Sequence, residues 1–119
     1  MATIAIVDDN PDNLKLVDAV LRRAGHRVTV HDTGVGFAAI ALASGPDLIL
    51  LDLELPDLDG FGVLTELRRL PGRTRVVALT AHVTAADRAL ALKAGFDGFI
   101  PKPLDIASFP AEIETLLGA

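Results

Sequence analysis

Three acidic side chains follow short apolar runs of this sequence. Asp8 and Asp9 come directly after the first run, and Asp52 comes directly after the third. A carboxylate can attack phosphorus as a nucleophile, and several carboxylates together can hold a hard divalent cation. These residues therefore indicate phosphoryl or metal chemistry, provided that the fold brings them together.

Two other polar residues follow the later apolar runs. Thr80 ends the fourth run, and Lys102 comes just after the fifth. Three carboxylates in one pocket need a cation, because each pair about 4 Å apart costs on the order of 4 kcal/mol at an effective dielectric near 20. Lys102 is one candidate and a hard divalent metal is the stronger one; Mg²⁺ suits a site built of oxygen ligands. The Thr80 hydroxyl and the Lys102 ammonium could then bind a phosphoryl group on Asp52.

Five apolar runs, each followed by a helical pattern, predict an α/β fold of (βα)5 type. Runs that are continuously apolar are typical of parallel strands covered by helices on both faces. Ligands bind such sheets outside the carboxyl ends of the strands, where the polar residues lie. The second strand, which ends in His31-Asp32, is expected at the sheet margin. The predicted strands are Thr3 to Val7, Arg27 to Val30, Leu48 to Leu51, Arg75 to Leu79 and Gly98 to Ile100.

The helical patterns predict where five helices begin and end. The first helix has a stripe of core residues and ends before Gly25. Leu14 lies off that stripe, so we expect the Leu14 side chain to be exposed beside the acidic pocket. The second follows Thr33 and ends near Ser44, and the fifth starts near Ser108 with a proline in its first turn. The first stripe comprises Asn13, Leu16, Val17, Val20, Leu21 and Ala24, and the third and fourth helices span about Phe61 to Leu70 and Ala85 to Ala94.

Length and composition exclude several classes of protein. The 119 residues, half of them hydrophobic, predict one domain over residues 1–119. The net charge of -5 argues against direct binding to nucleic acid or anionic membranes. Without cysteine there is no disulfide, thiol catalyst or thiolate metal site. The longest apolar stretch, Val35 to Ala43, is too short to span a membrane, so a cytoplasmic protein is expected, with its three histidines at the surface.

The order of these residues resembles the receiver domain of two-component response regulators. The resemblance covers the whole chain, and it implies a flavodoxin-like three-layer sandwich whose parallel sheet has the strand order 2-1-3-4-5. The matching residues are Asp8-Asp9, Asp52 followed by Pro56 and Gly60, Thr80-Ala81, and Phe99 before Lys102-Pro103.

The resemblance implies that Asp52 accepts phosphate from a histidine kinase or a histidine phosphotransfer protein. Mg²⁺, with Mn²⁺ as a substitute, would be held by Asp8, Asp9, Asp52 and the backbone carbonyl of Glu54. Such a domain is a switch and not a turnover enzyme. It would be a monomer or weak dimer that acts on a downstream protein through the face of helix 4, strand 5 and helix 5. The residues implied to bind the phosphoryl group or to switch are Thr80, Ala81, Lys102 and Phe99.

Other residues receive secondary roles. The peptide bond before Pro103 is expected to be cis by resemblance. Glu54 and His82 flank the phosphoryl position in the family, so we hypothesise that they tune how fast water removes the phosphate. Leu14 and Pro103 are predicted to contact the partner that donates the phosphate.

Two alternatives remain at this point. A haloacid dehalogenase-like phosphatase also uses an aspartyl nucleophile and Mg²⁺, but that family has its nucleophile on the first strand. A flavodoxin-like binding module could keep the fold without ever carrying phosphate.

Overall fold

The structure, a computed structural model, describes residues 2–55, 60–70, 74–81 and 84–118. Its sheet is parallel and has the strand order 2-1-3-4-5, which confirms the expected topology and places the second strand at the margin. Polar Asp52 and Thr80 are the last residues of their strands, and backbone pairing sets Asp52 opposite Leu79 and Thr80 opposite Pro101. The strands are β1 (Thr3–Val7), β2 (Arg27–His31), β3 (Leu48–Asp52), β4 (Arg75–Thr80) and β5 (Gly98–Pro101).

Among the described residues, four helices connect the strands and a fifth follows β5, close to the predicted positions. The Asn10 side chain caps the first helix by accepting bonds from the N–H groups of Asp12 and Asn13. A reciprocal capping box between Thr84 and Asp87 begins the fourth. The helices are α1 (Pro11–Arg23), α2 (Phe37–Ala43), α3 (Gly60–Arg69), α4 (Ala85–Ala94) and α5 (Phe109–Gly118).

The second helix begins later than the sequence predicts. It starts at Phe37 and not just after Thr33. Gly36 has a φ of 79°, which is outside the helical range and delays the first helical turn. The segment from Thr33 to Gly36 is therefore a loop at the carboxyl end of β2.

The core consists of two apolar layers, one on each face of the sheet. Strand β3 is buried along its whole length, as expected for a central strand covered on both faces. Helices α2, α3 and α4 cover one face, with Phe37, Val63 and Ala91 buried there. Helices α1 and α5 cover the other face of the sheet, where Val17 and Phe109 are buried.

Three expectations about individual side chains are wrong. Leu16 belongs to the predicted core stripe but is 40% exposed, whereas Leu14 is half-buried and packs against the core. The buried side of α1 passes through Leu14, Val17 and Leu21, which are spaced at i, i+3 and i+7. His26 is also buried: its Nδ1 accepts a bond from the Ala2 N–H, and its Nε2 lies 2.9 Å from the Glu114 carboxylate.

Candidate metal and phosphoryl site

The acidic residues meet at the carboxyl ends of β1 and β3. These strands pair directly, with Val7 opposite Leu51, so Asp8 and Asp52 emerge side by side. Ligand oxygens of Asp8, Asp9 and Asp52 all lie within 4.8 Å of one another. Asp8 and Asp52 are buried, while Asp9 is exposed. The predicted acidic pocket therefore exists, with one open side.

Local hydrogen bonds orient the two buried carboxylates. Asp8 accepts bonds from the Asn10 N–H at 2.9 Å and from the Asn13 side-chain amide at 3.3 Å. Asp52 Oδ1 accepts one from the Glu54 N–H at 2.9 Å. Burial raises the pKa of both Asp8 and Asp52, because removal from water disfavours the charged form. Positive charge placed beside these two acids would favour their charged forms.

Lys102, which follows β5, supplies positive charge to the pocket. Its Nζ lies 3.3 Å from Asp8 Oδ2 and 3.2 Å from Asp52 Oδ1. Burial alone would lower the pKa of Lys102, but the two carboxylates outweigh burial and raise it. Lys102 is therefore a charged ammonium held between two acids. The Lys102–Pro103 peptide bond is cis in the structure.

This donor set fits a hard divalent cation. Three carboxylates converge from two strands, and no histidine or cysteine joins them among the residues that the structure describes. Mg²⁺ prefers oxygen ligands and retains several waters, which the exposed side at Asp9 would admit. The arrangement can hold such an ion beside the oxygen atoms of Asp52.

The Glu54 side chain occupies a position that the sequence did not indicate. Its Oε1 accepts hydrogen bonds from the Thr80 hydroxyl at 2.6 Å and from the Ala81 N–H at 3.2 Å. Beyond the effect of burial, the interaction between the two carboxyl groups raises the pKa of Asp52 and lowers the pKa of Glu54. Burial alone would raise the pKa of Glu54, but the bonds from Thr80 and Asp52 outweigh it and lower that pKa. A position two residues after Asp52 was the only sequence signal for this contact.

Phe99 lies on the α4 side of the sheet. It is half-buried and packs against the core layer under α2, α3 and α4. The guanidinium carbon of Arg88 on α4 lies 5.3 Å from the centre of its ring, a cation–π contact. The expected roles of Pro56 and His82 lie outside the described residues.

Gly60 allows the chain to return against the end of β3. Its N–H donates to the Leu53 carbonyl at 3.2 Å, and a Cβ there would lie 2.7 Å from the Leu53 Cα. No side chain fits at that distance. The glycine therefore permits a close backbone approach next to Asp52.

The predicted surroundings of Leu14 need correction. It was expected to be exposed beside the acids, but it is half-buried and lines a groove with Val30, Val35 and Ile40. Of the α1 leucines, Leu16 is the one that lines the cleft next to Lys102 and Pro103, together with Leu104. The helical phase of α1, and not its composition, decides which leucine faces the site.

Fold and site together define a parallel α/β domain that gathers carboxylates, a lysine and a threonine at one edge for phosphoryl chemistry. A family model of the response regulator receiver domain matches residues 4–114. The chain belongs to this family and is a phosphoacceptor switch domain of two-component systems. The haloacid dehalogenase alternative is not supported, since the matched proteins are receiver domains.

Individual relatives agree with this assignment. The chain is 37% identical over 105 residues to the signal transduction histidine-protein kinase BarA of Escherichia coli, covering 87% of this chain and 11% of that protein. It is 34% identical over 114 residues to the transcriptional regulatory protein PrrA of Mycobacterium tuberculosis, covering 96% and 49%. The chain thus spans about a tenth and about half of these two relatives.

Solved structures show the same architecture. The receiver domain of the sensor histidine kinase PA1611 from Pseudomonas aeruginosa matches with a TM-score of 0.88 at 33% identity, covering 99% of this chain and 98% of that one. That structure has a magnesium ion coordinated in its active-site cleft.

In the part of our chain that the structure describes, no helix combines the length and apolar character that a membrane crossing requires.

Proposed function

We propose that Asp52 accepts the phosphoryl group, and that Asp8, Asp9, Asp52 and the backbone carbonyl of Glu54 hold Mg²⁺. One observation carries this proposal: the buried Asp52 carboxylate lies 3.2 Å from the Lys102 ammonium and shares a pocket with two more acids. A partly neutralised carboxylate at a strand end is suited to attack an anionic donor. Mn²⁺, which also accepts carboxylate and water ligands, would substitute for Mg²⁺.

The proposed transfer needs little beyond positioning. An Asp52 oxygen attacks the phosphorus of a phosphohistidine, and the new O–P bond forms as the N–P bond breaks. The bonding electron pair stays on the imidazole nitrogen, which takes up a proton. When bound, the metal supplies positive charge next to the phosphoryl oxygens. Lys102 adds charge from the other side, so no separate general base is needed.

Phosphorylation would change the conformation of residues at the ends of β4 and β5. The Thr80 hydroxyl, the Ala81 N–H and the Lys102 ammonium would bind phosphoryl oxygens. Movement of Thr80 toward the phosphoryl group would vacate space for the Phe99 ring and shift the face of α4, β5 and α5. Phe99 lacks the hydroxyl of the tyrosine common in the family, so its effect is steric.

The partners follow from the same chemistry. The donor would be a histidine kinase or a histidine phosphotransfer protein in the cytoplasm, and the output a contact with another protein. The net charge of -5 argues against direct nucleic-acid binding by this chain. We propose that residues 1–119 act as one receiver unit, monomeric or weakly dimeric, that is not a turnover enzyme.

Donor contact is proposed at the open side of the site. Pro103 and Leu16 line the cleft beside Lys102, and Leu14 lines the neighbouring groove. Slower phosphotransfer from a donor to Leu14→Ala, with unchanged phosphorylation by a small molecule, would support the original prediction for Leu14. If only Leu16→Ala slowed phosphotransfer, the donor would contact the cleft beside Lys102 and not the groove that Leu14 lines.

Glu54 and His82 remain proposed regulators of the phosphate lifetime. The hypothesis rests on their positions two residues after Asp52 and Thr80. Acyl-phosphate lifetimes of Glu54→Ala and His82→Ala that match the parent would contradict it.

Phosphorylation by acetyl phosphate tests the central proposal. Intact mass should show one added phosphoryl group per chain, dependent on Mg²⁺, and peptide mapping should place it on Asp52. Asp52→Asn should abolish the adduct, and Asp32→Asn, which removes an exposed acid after β2, should retain it. Catalytic release of phosphate would instead indicate a phosphatase. Absence of any phosphoryl adduct would indicate a binding module that does not carry phosphate.

A further inference from the structure

Two hydrogen-bond donors next to the acidic pocket converge on one carboxylate oxygen. The Thr80 hydroxyl and the Ala81 N–H both donate to Glu54 Oε1, at 2.6 and 3.2 Å. They are also the groups expected to bind a phosphoryl oxygen. A carboxylate oxygen and a phosphoryl oxygen are both anionic acceptors, so they suit the same pair of donors.

We propose that the Glu54 carboxylate is an internal anion that occupies the phosphoryl-oxygen position on Thr80 and Ala81, and that it must leave when Asp52 is phosphorylated. This inference rests on the proposed function, since it takes Asp52 as the acceptor. It assigns Glu54 a role before phosphorylation, which is distinct from any effect on hydrolysis afterwards.

The competition follows from the number of available protons. A threonine hydroxyl has one proton to donate and a backbone amide has one. Neither donor can serve Glu54 and a phosphoryl oxygen fully at the same time. The two anions would also repel each other in a pocket that already holds three carboxylates.

Glu54 also contacts the acceptor. Asp52 is only 1% exposed, and its Oδ1 accepts a hydrogen bond from the Glu54 N–H at 2.9 Å. The groups around the Asp52 carboxylate are polar, since Lys102 and Glu54 contact it directly. Departure of the Glu54 side chain would therefore change the polar surroundings of Asp52 without a change in the core.

Glu54 has an available route out of the site. The residue as a whole is exposed, and its backbone N–H remains bonded to Asp52 Oδ1 whatever the side chain does. Rotation of the side chain toward solvent would free Thr80 and Ala81 without loss of packing. The backbone carbonyl of Glu54, a proposed metal ligand, is unaffected by substitution of its side chain.

Affinity for beryllofluoride, a mimic of the phosphoryl group, tests the competition. The chain has no tryptophan or tyrosine, so binding is followed by fluorine NMR at saturating Mg²⁺. Glu54→Ala should bind beryllofluoride about tenfold more tightly than the parent, which corresponds to about 1.4 kcal/mol. Glu54→Gln, which keeps the reach but loses the charge, should lie between them. Glu66→Ala, which removes an exposed acid of α3, should match the parent.

Equal or weaker beryllofluoride binding by Glu54→Ala would overturn the proposal. The amide resonance of Ala81, measured without metal or beryllofluoride, supplies an independent test. It should shift in Glu54→Ala, because the bond to the carboxylate is lost, and an unchanged resonance would contradict the contact. If neither the parent nor any variant bound beryllofluoride, the proposed function would fail, while the Ala81 resonance would still decide whether Glu54 occupies the donors.

Discussion

The ammonium of Lys102 lies 3.2 Å from the Asp52 carboxylate, although the two residues are 50 positions apart and Lys102 follows β5, which does not pair with β3. Strand β4 separates them in the sheet, and the long lysine side chain spans that distance. The same ammonium reaches Asp8 on the other side of β3. Lys102 therefore links the acidic residues of β1 and β3 to the opposite edge of the sheet.

Replacement of Lys102 by methionine tests this link. Lys102→Met keeps much of the side-chain volume but removes the charge opposite Asp52. We expect phosphorylation by acetyl phosphate to slow by at least about tenfold, because a charge-assisted contact to the incoming oxygens is lost. Initial rates from intact mass measure the effect. Lys93→Met, on the exposed side of α4, is the control, and equal rates for both variants would contradict a role for Lys102.

Asp52→Asn should stabilise the protein in the absence of metal. The buried acid has a raised pKa, so its charged form costs folding free energy at neutral pH. We expect a gain on the order of 1 kcal/mol in urea unfolding, the size of a partly compensated charge repulsion. Asp9→Asn, at an exposed acid of the same pocket, should gain less. A destabilised Asp52→Asn would show that the carboxylate is already neutralised.

The pH dependence of stability has a defined sign. Because the pKa of Asp52 is raised in the folded state, the folded protein binds more protons than the unfolded chain between the ordinary value of 3.8 and the raised one. This contribution therefore makes the free energy of unfolding fall as pH rises through that window. The difference between parent and Asp52→Asn should follow this trend, and saturating Mg²⁺ should weaken it.

Gly60→Ala should destabilise the fold through a local clash. The new Cβ would lie 2.7 Å from the Leu53 Cα, which is backbone and cannot rotate away. We expect a loss of about 1–3 kcal/mol, the usual cost of overpacking. Gly118→Ala is a matched control, because a Cβ there meets no heavy atom within 4 Å. Equal stability of the two variants would contradict a costly clash between Gly60 and Leu53.

Arg88→Ala should release the Phe99 ring. The guanidinium lies 5.3 Å from the ring centre, and an exposed cation–π contact stabilises by about 0.5 kcal/mol. We expect a loss of that size in urea unfolding and a shift of the Phe99 ring resonances. Arg69→Ala on α3 controls for loss of a surface charge. Unchanged Phe99 resonances would show that Arg88 does not restrain the ring.

The sequence alone determined the strands and the parallel sheet from local patterns, and its resemblance to the receiver family implied the strand order that brings Asp8, Asp52 and Lys102 together. A continuously apolar run predicts a central strand, and a polar residue at its end must lie at the edge where parallel strands finish together. The tertiary structure decided the rest. Glu54 faces Thr80 and Ala81, and Leu14 is turned inward instead of Leu16, because side-chain direction depends on partners that another strand or helix supplies.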